Sequence, residues 1–552
     1  MNRATSGRLI EMRSSLASCR DDRDAASCRD LFRTLKNPYA IGDDVGLTQT
    51  CGWVDAWTVQ PSAYAVAAET ADDVVAAVNF ARQHNLRLVV KGGGHSYLGT
   101  SSAPDSLLIW THRMHEITLH DGFEPSGCAE RAPAVTVGAG AVWMHVYNEV
   151  TTKGGRYVQG GGCCTVGVAG LVQGGGFGNY SRAYGTGGSN LLEAEVVTAD
   201  GVVRLANACT NPGLFWALKG GGGGTFGVVT RLTLRTHELP PFFGFVFATI
   251  QASSDAAFRR LIGQFVGFVA ENLVNPHWGD NALLQPGNRL AISMEFQGID
   301  RTQADAIWQP FFRWVDAAPD DFVLDQTPRV SAIPARHRWD PGFYREFAPG
   351  AVMFDNRPGA PADNMFWASN LSEAGHFLHG FESIWLPAAL LDPARRDHLA
   401  DALCAAGRLW SVELHFQKGL AGAAEAASDA TADTPMNPAV LDAFALAIIA
   451  GEGPPAFPGL PGHEPDLRAA RLHATRIAKA MAELAKVVPD GGTYVAESSF
   501  FQHDWQRSYW GKNYSRLLEV KQKYDPDGLF FARHGVGSEG WTEDGFTRLP
   551  HP

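Results

Sequence analysis

The hydrophobic pattern between residues 64 and 90 predicts a strand–helix–strand unit. The apolar run Tyr64–Ala68 is typical of a strand, and Thr70–Asp73 has the residues of a capping box, which marks the start of a helix. Apolar residues then recur at helical spacing from Val74 to Ala81, and they alternate again in Leu86–Val90. The second strand therefore leads directly into a segment rich in glycine.

Further short elements are predicted up to residue 240. Asp200-Gly201 is a strong turn signal, and it predicts a hairpin over Leu192–Leu205. The chain changes character at Pro240-Pro241, where we predict a domain boundary. Other patterns predict strands at Leu107–Trp110, Ala134–Val137 and Val228–Leu234, and a helix at Val142–Thr152.

Residues 242–488 alternate between long strand patterns and helical patterns, which favours an antiparallel sheet flanked by helices. We predict loops at Gly419–Thr434 and Gly451–Gly462, and a helix that begins at Asn437-Pro438. The predicted strands are Phe243–Gln251, Leu290–Gly298, His376–Leu386 and Trp410–Gln417, and the predicted helices lie near 254–272, 302–316, 392–406 and 467–486.

The two ends of the chain have patterns of their own. The polar N-terminal residues predict a short helix followed by an arm along the surface. Near the C-terminus, Thr493–Ser498 predicts a short strand, and Trp510–Lys523 predicts an amphipathic helix that ends at Asp525–Gly528. The predicted organisation is an N-terminal arm (1–50), a first domain (51–240), a second domain (241–488) and a C-terminal segment (489–552).

Composition restricts the possible partners. Of the 552 residues, 45% are hydrophobic and 19% are charged, as in globular proteins with a sizeable core. No apolar run approaches the roughly 18 residues that a membrane span requires. The net charge of −12 argues against a nucleic-acid partner, because phosphate binding needs a positive surface. A small-molecule partner is therefore expected.

The cysteines argue against a structural metal site. None of the eight cysteines belongs to a CxxC pair, so zinc is not expected. A Cys19–Cys28 disulfide would stabilise the fold by about 2–3 kcal/mol and would favour an exported protein. Because Met1–Ser18 lacks the apolar core of a signal peptide, two locations stay open. They are the cytoplasm, and a secreted or periplasmic location after removal of a leader.

Three glycine-rich clusters lie within about one quarter of the chain, and each adjoins a predicted strand. Because glycine lets a backbone approach a ligand closely, they indicate a site for a flat polyanionic ligand. The dinucleotide motif GxGxxG is absent at the required strand-to-helix turn, and the P-loop motif does not occur. The clusters are Lys91–Gly99 (KGGGHSYLG), Tyr157–Gly178 (YVQGGGCCTVGVAGLVQGGGFG) and Phe215–Gly227 (FWALKGGGGGTFG).

The first two clusters resemble the two halves of the flavin site in the berberine-bridge-enzyme-like oxidoreductases. These enzymes belong to the vanillyl-alcohol-oxidase (VAO, PCMH-type FAD) superfamily. The tail Asn513–Phe530 (NYSRLLEVKQKYDPDGLF) is similar to the closing segment of that family. The resemblance implies an α+β fold, with a two-subdomain FAD-binding domain built from the N-terminal part and the C-terminal segment. A substrate domain of antiparallel sheet flanked by helices is inserted between them.

The resemblance also implies a flavin that is bound covalently at two positions. His95 matches the histidine that bonds the 8α-methyl group of FAD, and Cys163 matches the cysteine that bonds flavin C6. A second cysteine, Cys164, stands where relatives often carry proline. The spacing to Gly167 favours Cys163, and Cys164 is the alternative.

Further cofactor contacts are implied by the same match. Backbone N–H groups of the first cluster would bind the pyrophosphate, and the second cluster would pass under the ring. Val166 stands at a gate where valine is associated with oxygen reactivity among plant relatives. The implied contact residues are Gly92, Gly93, Gly94, Ser96, Leu98, Gly99, Val166, Gly167, Gly170, Gly174, Gly175, Gly176, Gly178, Gly227, Val228, Asn513 and Tyr514.

A flavin enzyme that oxidises a C–H bond needs a base for the substrate proton. Tyr494-Val-Ala-Glu497 matches a family strand, so the resemblance implies Glu497 as the catalytic base, against the apolar flavin face, and Tyr494 as a second catalytic residue. Ala496 replaces the asparagine of the family, which removes one polar contact. The substrate-side candidates are His415, Gln417, Lys418, Glu382 and Trp385.

These expectations define a predicted function. The chain would be an FAD-dependent oxidase that oxidises an alcohol, a carbohydrate or a related small molecule by base-assisted hydride transfer, with O₂ reduced to H₂O₂. A flavin dehydrogenase or a biosynthetic oxidative-cyclisation enzyme is the alternative. A flavin-binding protein without activity is a third hypothesis.

Overall fold

The computed structural model describes residues 1, 5, 8–17, 19 and 26–550. Within these residues the strands form sheets of four, six, ten and two strands, the last one being Val352–Phe354 with Met365–Trp367. The α-helices of the described residues are Ala26–Thr34, Pro38–Asp43, Ala71–His84, Trp143–Tyr147, Val168–Gln173, Ser181–Tyr184, Pro212–Leu218, Asp255–Asn272, Arg301–Asp316, Pro341–Phe347, Arg396–Leu409, Glu425–Ala432, Ala439–Asp442, Leu467–Ala485, Trp505–Trp510 and Tyr514–Tyr524.

The four-stranded sheet contains the predicted strand–helix–strand unit, which is confirmed. The helix Ala71–His84 begins at the predicted capping box, in which Thr70 and Asp73 hydrogen-bond each other's backbone. Asn85 ends the helix in a left-handed conformation. In spatial order the strands are Leu9–Glu11, Tyr64–Ala67, Leu107–Trp110 and Leu88–Lys91, the last three being parallel to one another.

The six-stranded sheet is antiparallel and contains the predicted hairpin. Its turn at Asp200-Gly201 is confirmed, and a Cβ on Gly201 would lie 2.3 Å from Oδ1 of Asn79. The hairpin turn therefore packs against the helix of the four-stranded sheet. In spatial order the strands are Val203–Asn207, Leu191–Val197, Val228–Glu238, Ala132–Gly138 and Ile117–Phe123, and Arg156–Val158 pairs with the far end of Val228–Glu238.

The ten-stranded sheet is built mainly from residues 242–453. The four long helices predicted for this region are confirmed, and their apolar faces share one hydrophobic core with the sheet. In spatial order the strands are Phe322–Leu324, Phe242–Ala252, Arg289–Gln297, Trp278–Gln285, Val412–His415, Ala443–Gly453, His376–Pro387, Thr50–Trp53 and Trp57–Thr58, and Arg329–Pro334 also pairs with Phe242–Ala252.

The predicted surface arm is wrong for residues 46–50, which are buried. Thr50–Trp53 pairs in parallel with the beginning of the strand His376–Pro387, although more than 300 residues separate them. The buried ammonium group of Lys91 donates hydrogen bonds to the carbonyl oxygens of Asp44 and Leu47 at 3.3 and 2.9 Å. The arm is thus held under the first glycine cluster. Sequence periodicity contains no information on such distant partners.

Residues 242–488 differ from the predictions in several elements. The strand Ala443–Gly453 was not predicted, and the helix predicted from Asn437 ends at Asp442. The strand Trp278–Gln285 was missed as well. The predicted loop Gly419–Thr434 contains the helix Glu425–Ala432. The predicted strand at 410–417 is confined to Val412–His415, after which 416–418 form a 3₁₀ turn.

The C-terminal helix Tyr514–Tyr524 is confirmed, and it is locked to the third glycine cluster. The ammonium group of Lys521 donates to the carbonyl oxygens of Thr225 and Phe530 at 2.7 and 2.6 Å, and it pairs with Asp525 at 2.6 Å. All of these groups are buried. The tail therefore packs against the third glycine cluster.

Arg182 joins the second glycine cluster to the large sheet. Its guanidinium group is buried and donates to the carbonyl oxygens of Leu273 and Gly419 at 2.9 and 3.1 Å, and to that of Phe444. Burial lowers the pKa of Arg182 to about 9. The short helix Ser181–Tyr184 is thereby fixed against residues 273, 419 and 444.

Two disulfides are present among the described residues. Cys19 and Cys28 are bonded to each other, which decides the question that their spacing raised. The second disulfide, Cys128–Cys209, was not predicted and spans 81 positions. Cys51, Cys163, Cys164 and Cys404 are free thiols.

Candidate functional site

The first two glycine clusters meet backbone to backbone. A Cβ on Gly93 would lie 2.8 Å from the amide nitrogen of Gly167, and a Cβ on Gly167 would lie 3.0 Å from that of Gly93. Only residues without a side chain allow this approach. The hydroxyl of Thr165 lies 3.2 Å from Nε2 of His95, so the second cluster also orients the histidine ring of the first. The two motifs form one site.

His95 and Cys163 line the same small cavity, together with Asn370 and Glu373. His95 is partly buried, and desolvation lowers its pKa to about 4, with His376 acting in the same direction. The imidazole is therefore neutral near pH 7 and carries an unprotonated nitrogen. A neutral imidazole can act as a nucleophile or accept a proton.

The two adjacent cysteines have different surroundings. Cys163 is partly exposed, and its thiol donates to Oε2 of Glu373 at 3.4 Å. Burial and this carboxylate raise the pKa of Cys163. Cys164 is buried in a hydrophobic cluster with Trp143 and Val168, and burial raises its pKa to about 12. The geometry favours Cys163 as the thiol that can reach a ligand, and its linkage to flavin stays a prediction.

The backbones of the second and third clusters lie close together and face open space. Gly170 lies in the helix Val168–Gln173, which was not predicted, and a Cβ on Gly170 would meet no atom within 4 Å. A Cβ on Gly223 would lie 4.0 Å from the Cα atom of Gly170, and Gly224 also faces open space. The clusters therefore leave room along the backbone for a flat ligand.

The turn Gly174–Gly178 is closely packed on its other side. A Cβ on Gly178 would lie 1.8 Å from the carbonyl oxygen of Gly160. The hydroxyl of Tyr494 accepts the N–H of Gly176 at 3.2 Å, and its ring packs edge-on against Phe177. Tyr494 is buried here and supports the turn. Its predicted catalytic role stays a prediction.

The remaining implied contacts differ in accessibility. Gly92 and Gly94 belong to the first cluster, and Gly175 packs its backbone on Met436. Val166 is partly buried, and its carbonyl accepts the N–H of Trp143. In the first cluster, the hydroxyl of Ser96 bonds that of Thr100, Leu98 packs in a hydrophobic cluster, and Gly99 lies on the ring of Trp57. Gly227 and Val228 pack against the strand Leu191–Val197. Near the C-terminus, Asn513 donates to the carbonyl of Met436, and Tyr514 donates to Glu539.

Glu497 is paired with a lysine side chain. Its two carboxylate oxygens accept hydrogen bonds from Nζ of Lys418 at 2.7 and 2.5 Å. The side chain of Glu497 is 21% exposed and that of Lys418 is 11% exposed, so the pair is largely shielded from water. The cause is the 3₁₀ turn after Val412–His415, which directs Lys418 toward Glu497. The predicted base and a predicted substrate residue thus form one charge-assisted pair.

The predicted strand that carries Glu497 is a turn, so this prediction is wrong. The N–H of Glu497 donates to the carbonyl of Tyr494 at 3.0 Å, which curls the backbone. The hydroxyl of Ser383 donates to the carbonyl of Glu497, and Ser499 bonds the side chain of Glu382. These side-chain contacts with a neighbouring strand fix the position of residues 493–498, instead of the backbone hydrogen bonds of a sheet.

His415 and Gln417 form a polar chain beside the Lys418–Glu497 pair. Nε2 of His415 lies 2.8 Å from Glu413, and Nε2 of Gln417 lies 3.3 Å from Nδ1 of His415. Burial acts to raise the pKa of Glu413, but His415 and Lys418 outweigh it and lower that pKa. Oε1 of Gln417 is buried without a hydrogen-bond partner among the residues described. Such an oxygen can accept a bond from a ligand.

The two candidates on the strand His376–Pro387 have supporting positions. Trp385 is buried, and its indole N–H donates to the carbonyl of Lys418 at 2.8 Å. Trp385 therefore holds the turn that presents Lys418. Glu382 is partly buried, and burial raises its pKa. The hydrogen bond from Ser499 places Glu382 beside the turn of Glu497.

Three residues of this region were not predicted, namely Tyr97, Asp280 and Glu373. Tyr97 stacks on Phe381 at 4.9 Å, and burial together with Glu373 and Glu497 raises its pKa. Asp280 has a left-handed backbone with φ 71°, and burial and nearby Glu295 raise its pKa. Tyr97 stands two positions after His95 and could have been found from the motif. The sequence contains no signal for Asp280 or Glu373.

The residues present fit FAD. The glycine backbones leave a groove that a Cβ would fill, and a neutral imidazole and a partly exposed thiol line one cavity. His95 and Cys163 are the residues that could hold the ring, and the clusters could hold the remainder. No set of three or more His, Cys, Asp or Glu side chains suited to a metal ion occurs in the described ranges. Among the same residues no helix is long and apolar enough to cross a membrane.

Known families match both parts of the site. The FAD binding domain family matches residues 62–206, and the berberine and berberine-like family matches residues 493–537. The VAO-type flavoprotein oxidase VAO615 of Thermothelomyces thermophilus is 32% identical over 88% of this chain and 78% of its own length. The chain belongs to the berberine-like VAO-type flavoproteins. The predicted family and the predicted FAD cofactor are thereby confirmed.

Solved structures show the VAO-type fold over almost the whole chain. The crystal structure of the VAO-type flavoprotein MtVAO615 from Myceliophthora thermophila C1 matches with a TM-score of 0.79 and 26% identity, over 99% of this chain and 96% of that one. A glucooligosaccharide oxidase from Acremonium strictum, described with a 6-S-cysteinyl, 8α-N1-histidyl FAD, matches with a TM-score of 0.67 and 19% identity, over 95% and 99%. The predicted fold class is confirmed, and this VAO-type flavoprotein is an FAD-dependent oxidoreductase.

Proposed function

We propose that this VAO-type flavoprotein is an oxidase with FAD bound covalently through His95 and Cys163. Its substrate would be an alcohol, a carbohydrate or a related small molecule. The observation that carries the proposal is the convergence of His95 and Cys163 on one cavity, at the contact between Gly93 and Gly167. The double linkage described for the oxidase of Acremonium strictum supports it.

Bound FAD would supply the hydride acceptor and would pass the electrons to O₂. The chain itself would handle the proton. Glu497 would take the hydroxyl proton of the substrate, and Lys418, at 2.5 to 2.7 Å, would hold the carboxylate in position. Gln417 offers a buried oxygen as a hydrogen-bond acceptor for a second hydroxyl.

The polar lining of the site supports a hydroxylated substrate. His415 and Gln417 are joined by a hydrogen bond, and Lys418 bonds Glu497. Tyr97 remains a neutral phenol because its pKa is raised. Each of these groups can bond a hydroxyl. A site built on such groups discriminates against substrates that lack them, because its buried polar atoms would be left without partners.

Acid precipitation tests the covalent linkage. We expect flavin to remain with the precipitated wild-type chain, and to remain partly in each of the single variants His95→Ala and Cys163→Ala. In the double variant we expect free flavin only. A colourless wild-type pellet from yellow protein would overturn the covalent proposal.

A peroxide assay over a panel of sugars and alcohols tests the oxidase and its base. We expect stoichiometric H₂O₂ from at least one substrate, and a loss of about 10²–10⁴ in kcat for Glu497→Gln, as is typical for a lost general base. Lys418→Arg serves as the charge-preserving control for Lys418→Met and should retain more activity. Reoxidation by air as slow as that of free flavin would favour the dehydrogenase instead.

A further inference from the structure

Glu373 contacts the thiol that the proposed function assigns to the flavin. It ends the 3₁₀ helix Ala368–Glu373, and its Oε2 atom accepts the hydrogen bond from Sγ of Cys163 at 3.4 Å. Among the described residues, no other side-chain hydrogen bond of the Cys163 thiol is present. Glu373 also lines the cavity that His95 and Cys163 share.

The carboxylate of Glu373 is held in a fixed orientation. Nδ2 of Asn370 donates to its other oxygen, Oε1, at 2.9 Å, so Oε2 is left for the thiol. Glu373 is partly buried. A half-buried carboxylate with one oxygen fixed and the other on a thiol is placed to receive the thiol proton.

We propose that Glu373 is the base that removes the proton from Cys163 when its sulfur becomes bonded to the flavin. This rests on the proposed covalent linkage and goes beyond it, because a thiolate, not a thiol, is the nucleophile. Burial raises the pKa of Cys163, so the buried thiol needs a proton acceptor in contact with it to become a thiolate. Burial also raises the pKa of Glu373, which improves it as an acceptor.

The reaction is balanced with O₂ as the oxidant. Cys163 gives its thiol proton to Glu373 and gains a carbon–sulfur bond. The flavin ring carbon that gains the sulfur would lose its hydrogen as a second proton, and the electron pair of that broken C–H bond would be passed to O₂. The two protons and two electrons convert O₂ to H₂O₂, and Glu373 returns to its carboxylate form.

The neighbouring charged groups define the controls. His376 lowers the pKa of Glu373 and Glu452 raises it. Cys164 raises the pKa of Cys163 and Lys418 lowers it. Glu452 pairs with His376 at 2.9 Å and does not contact the thiol. Glu452→Gln therefore removes a nearby carboxylate without removing the acceptor.

The test measures the linkage itself by mass spectrometry of peptides from the flavin-loaded protein. In Glu373→Gln we expect flavin on the His95 peptide, and linkage at the Cys163 peptide about 100-fold slower than in the wild type, as for a lost general base. Incubation in air at pH 9.5 should restore the linkage, because hydroxide then supplies the thiolate. Glu452→Gln should link at the wild-type rate.

Each outcome decides between the proposals. Full linkage of Cys163 in Glu373→Gln at neutral pH, or a loss that alkaline pH does not restore, would overturn the role of Glu373. A wild-type protein without flavin on the Cys163 peptide would overturn the proposed linkage and this role with it. If Glu373→Gln does not accumulate, Glu373→Asp gives the same readout, with slower linkage expected because the shorter carboxylate stands farther from the sulfur.

Discussion

Gly93 and Gly167 show how single residues create this site. A Cβ on either glycine would lie 2.8 to 3.0 Å from the backbone nitrogen of the other, so the two motifs meet only because neither has a side chain. His95 and Cys163 are brought to the same cavity by this contact. The glycines were predicted as cofactor contacts, and the structure adds that two of them contact each other.

Gly93→Ala should therefore separate the two motifs. We expect a loss of about 1–3 kcal/mol in unfolding free energy, as for an overpacked contact, and a lower flavin content per chain. Urea unfolding and the visible spectrum measure the two effects. Gly350→Ala is the matched control, because its Cβ would enter open space. Equal flavin content in Gly93→Ala and the wild type would contradict the expectation.

His237 makes stability depend on pH. Burial lowers its pKa to about 4, with Arg235 and Arg156 acting in the same direction, and its ring bonds Asn190 at 2.7 Å. The unfolded chain has the ordinary pKa of about 6.5, so between pH 6.5 and 4 it binds more protons than the folded chain. Stability should therefore fall as the pH is lowered through this window, and the contribution is lost below it.

The variant His237→Gln should reduce this pH dependence. We expect the difference in unfolding free energy between pH 7 and pH 5 to be smaller than in the wild type, because glutamine does not titrate. The exposed His398→Gln is the control and should retain the slope of the wild type. An unchanged slope in His237→Gln would show that other groups carry the effect.

At the scale of elements, the C-terminal helix depends on one buried ion pair. Lys521 joins Thr225, Asp525 and Phe530, so the helix Tyr514–Tyr524 cannot leave the third glycine cluster without exposing it. Removal of one partner from such a pair leaves an uncompensated buried charge.

We expect Lys521→Met to destabilise the protein by about 3–5 kcal/mol in urea unfolding. The exposed Lys523→Met should change stability by less than about 0.5 kcal/mol, and similar losses in both would refute the role of the pair.

Elements with local signals were predictable, whereas those that depend on distant partners were not. The helix Ala71–His84 was found because its cap and its periodicity lie within the segment. The strand Ala443–Gly453 begins with the continuous apolar run Ala443–Ala450, which periodicity cannot assign to a strand or a helix. The same limit applies to the site. The motif supplied His95, but the contact of Glu373 with Cys163 joins residues 210 positions apart.

At the scale of the whole molecule, two disulfides add to the stability of the cofactor side. The loop-entropy model gives about 4–5 kcal/mol for the closure of a loop as long as that of Cys128–Cys209, and about 2–3 kcal/mol for Cys19–Cys28. We expect the double variant Cys128→Ser/Cys209→Ser to lower the melting temperature more than Cys19→Ser/Cys28→Ser does. Equal melting temperatures with and without reductant would contradict both estimates.

Because disulfide bonds persist under oxidising conditions, we propose a secreted or periplasmic location.

The parallel pairing of Thr50–Trp53 with His376–Pro387 has a consequence for biosynthesis. The early strand leaves the ribosome more than 300 residues before its partner, so it spends most of translation without its place in the sheet. Long-range parallel pairing of this kind is intrinsically slow and leaves apolar surface exposed to other chains. Expression of this protein should therefore be limited by assembly of the nascent chain more than by the stability of the finished fold.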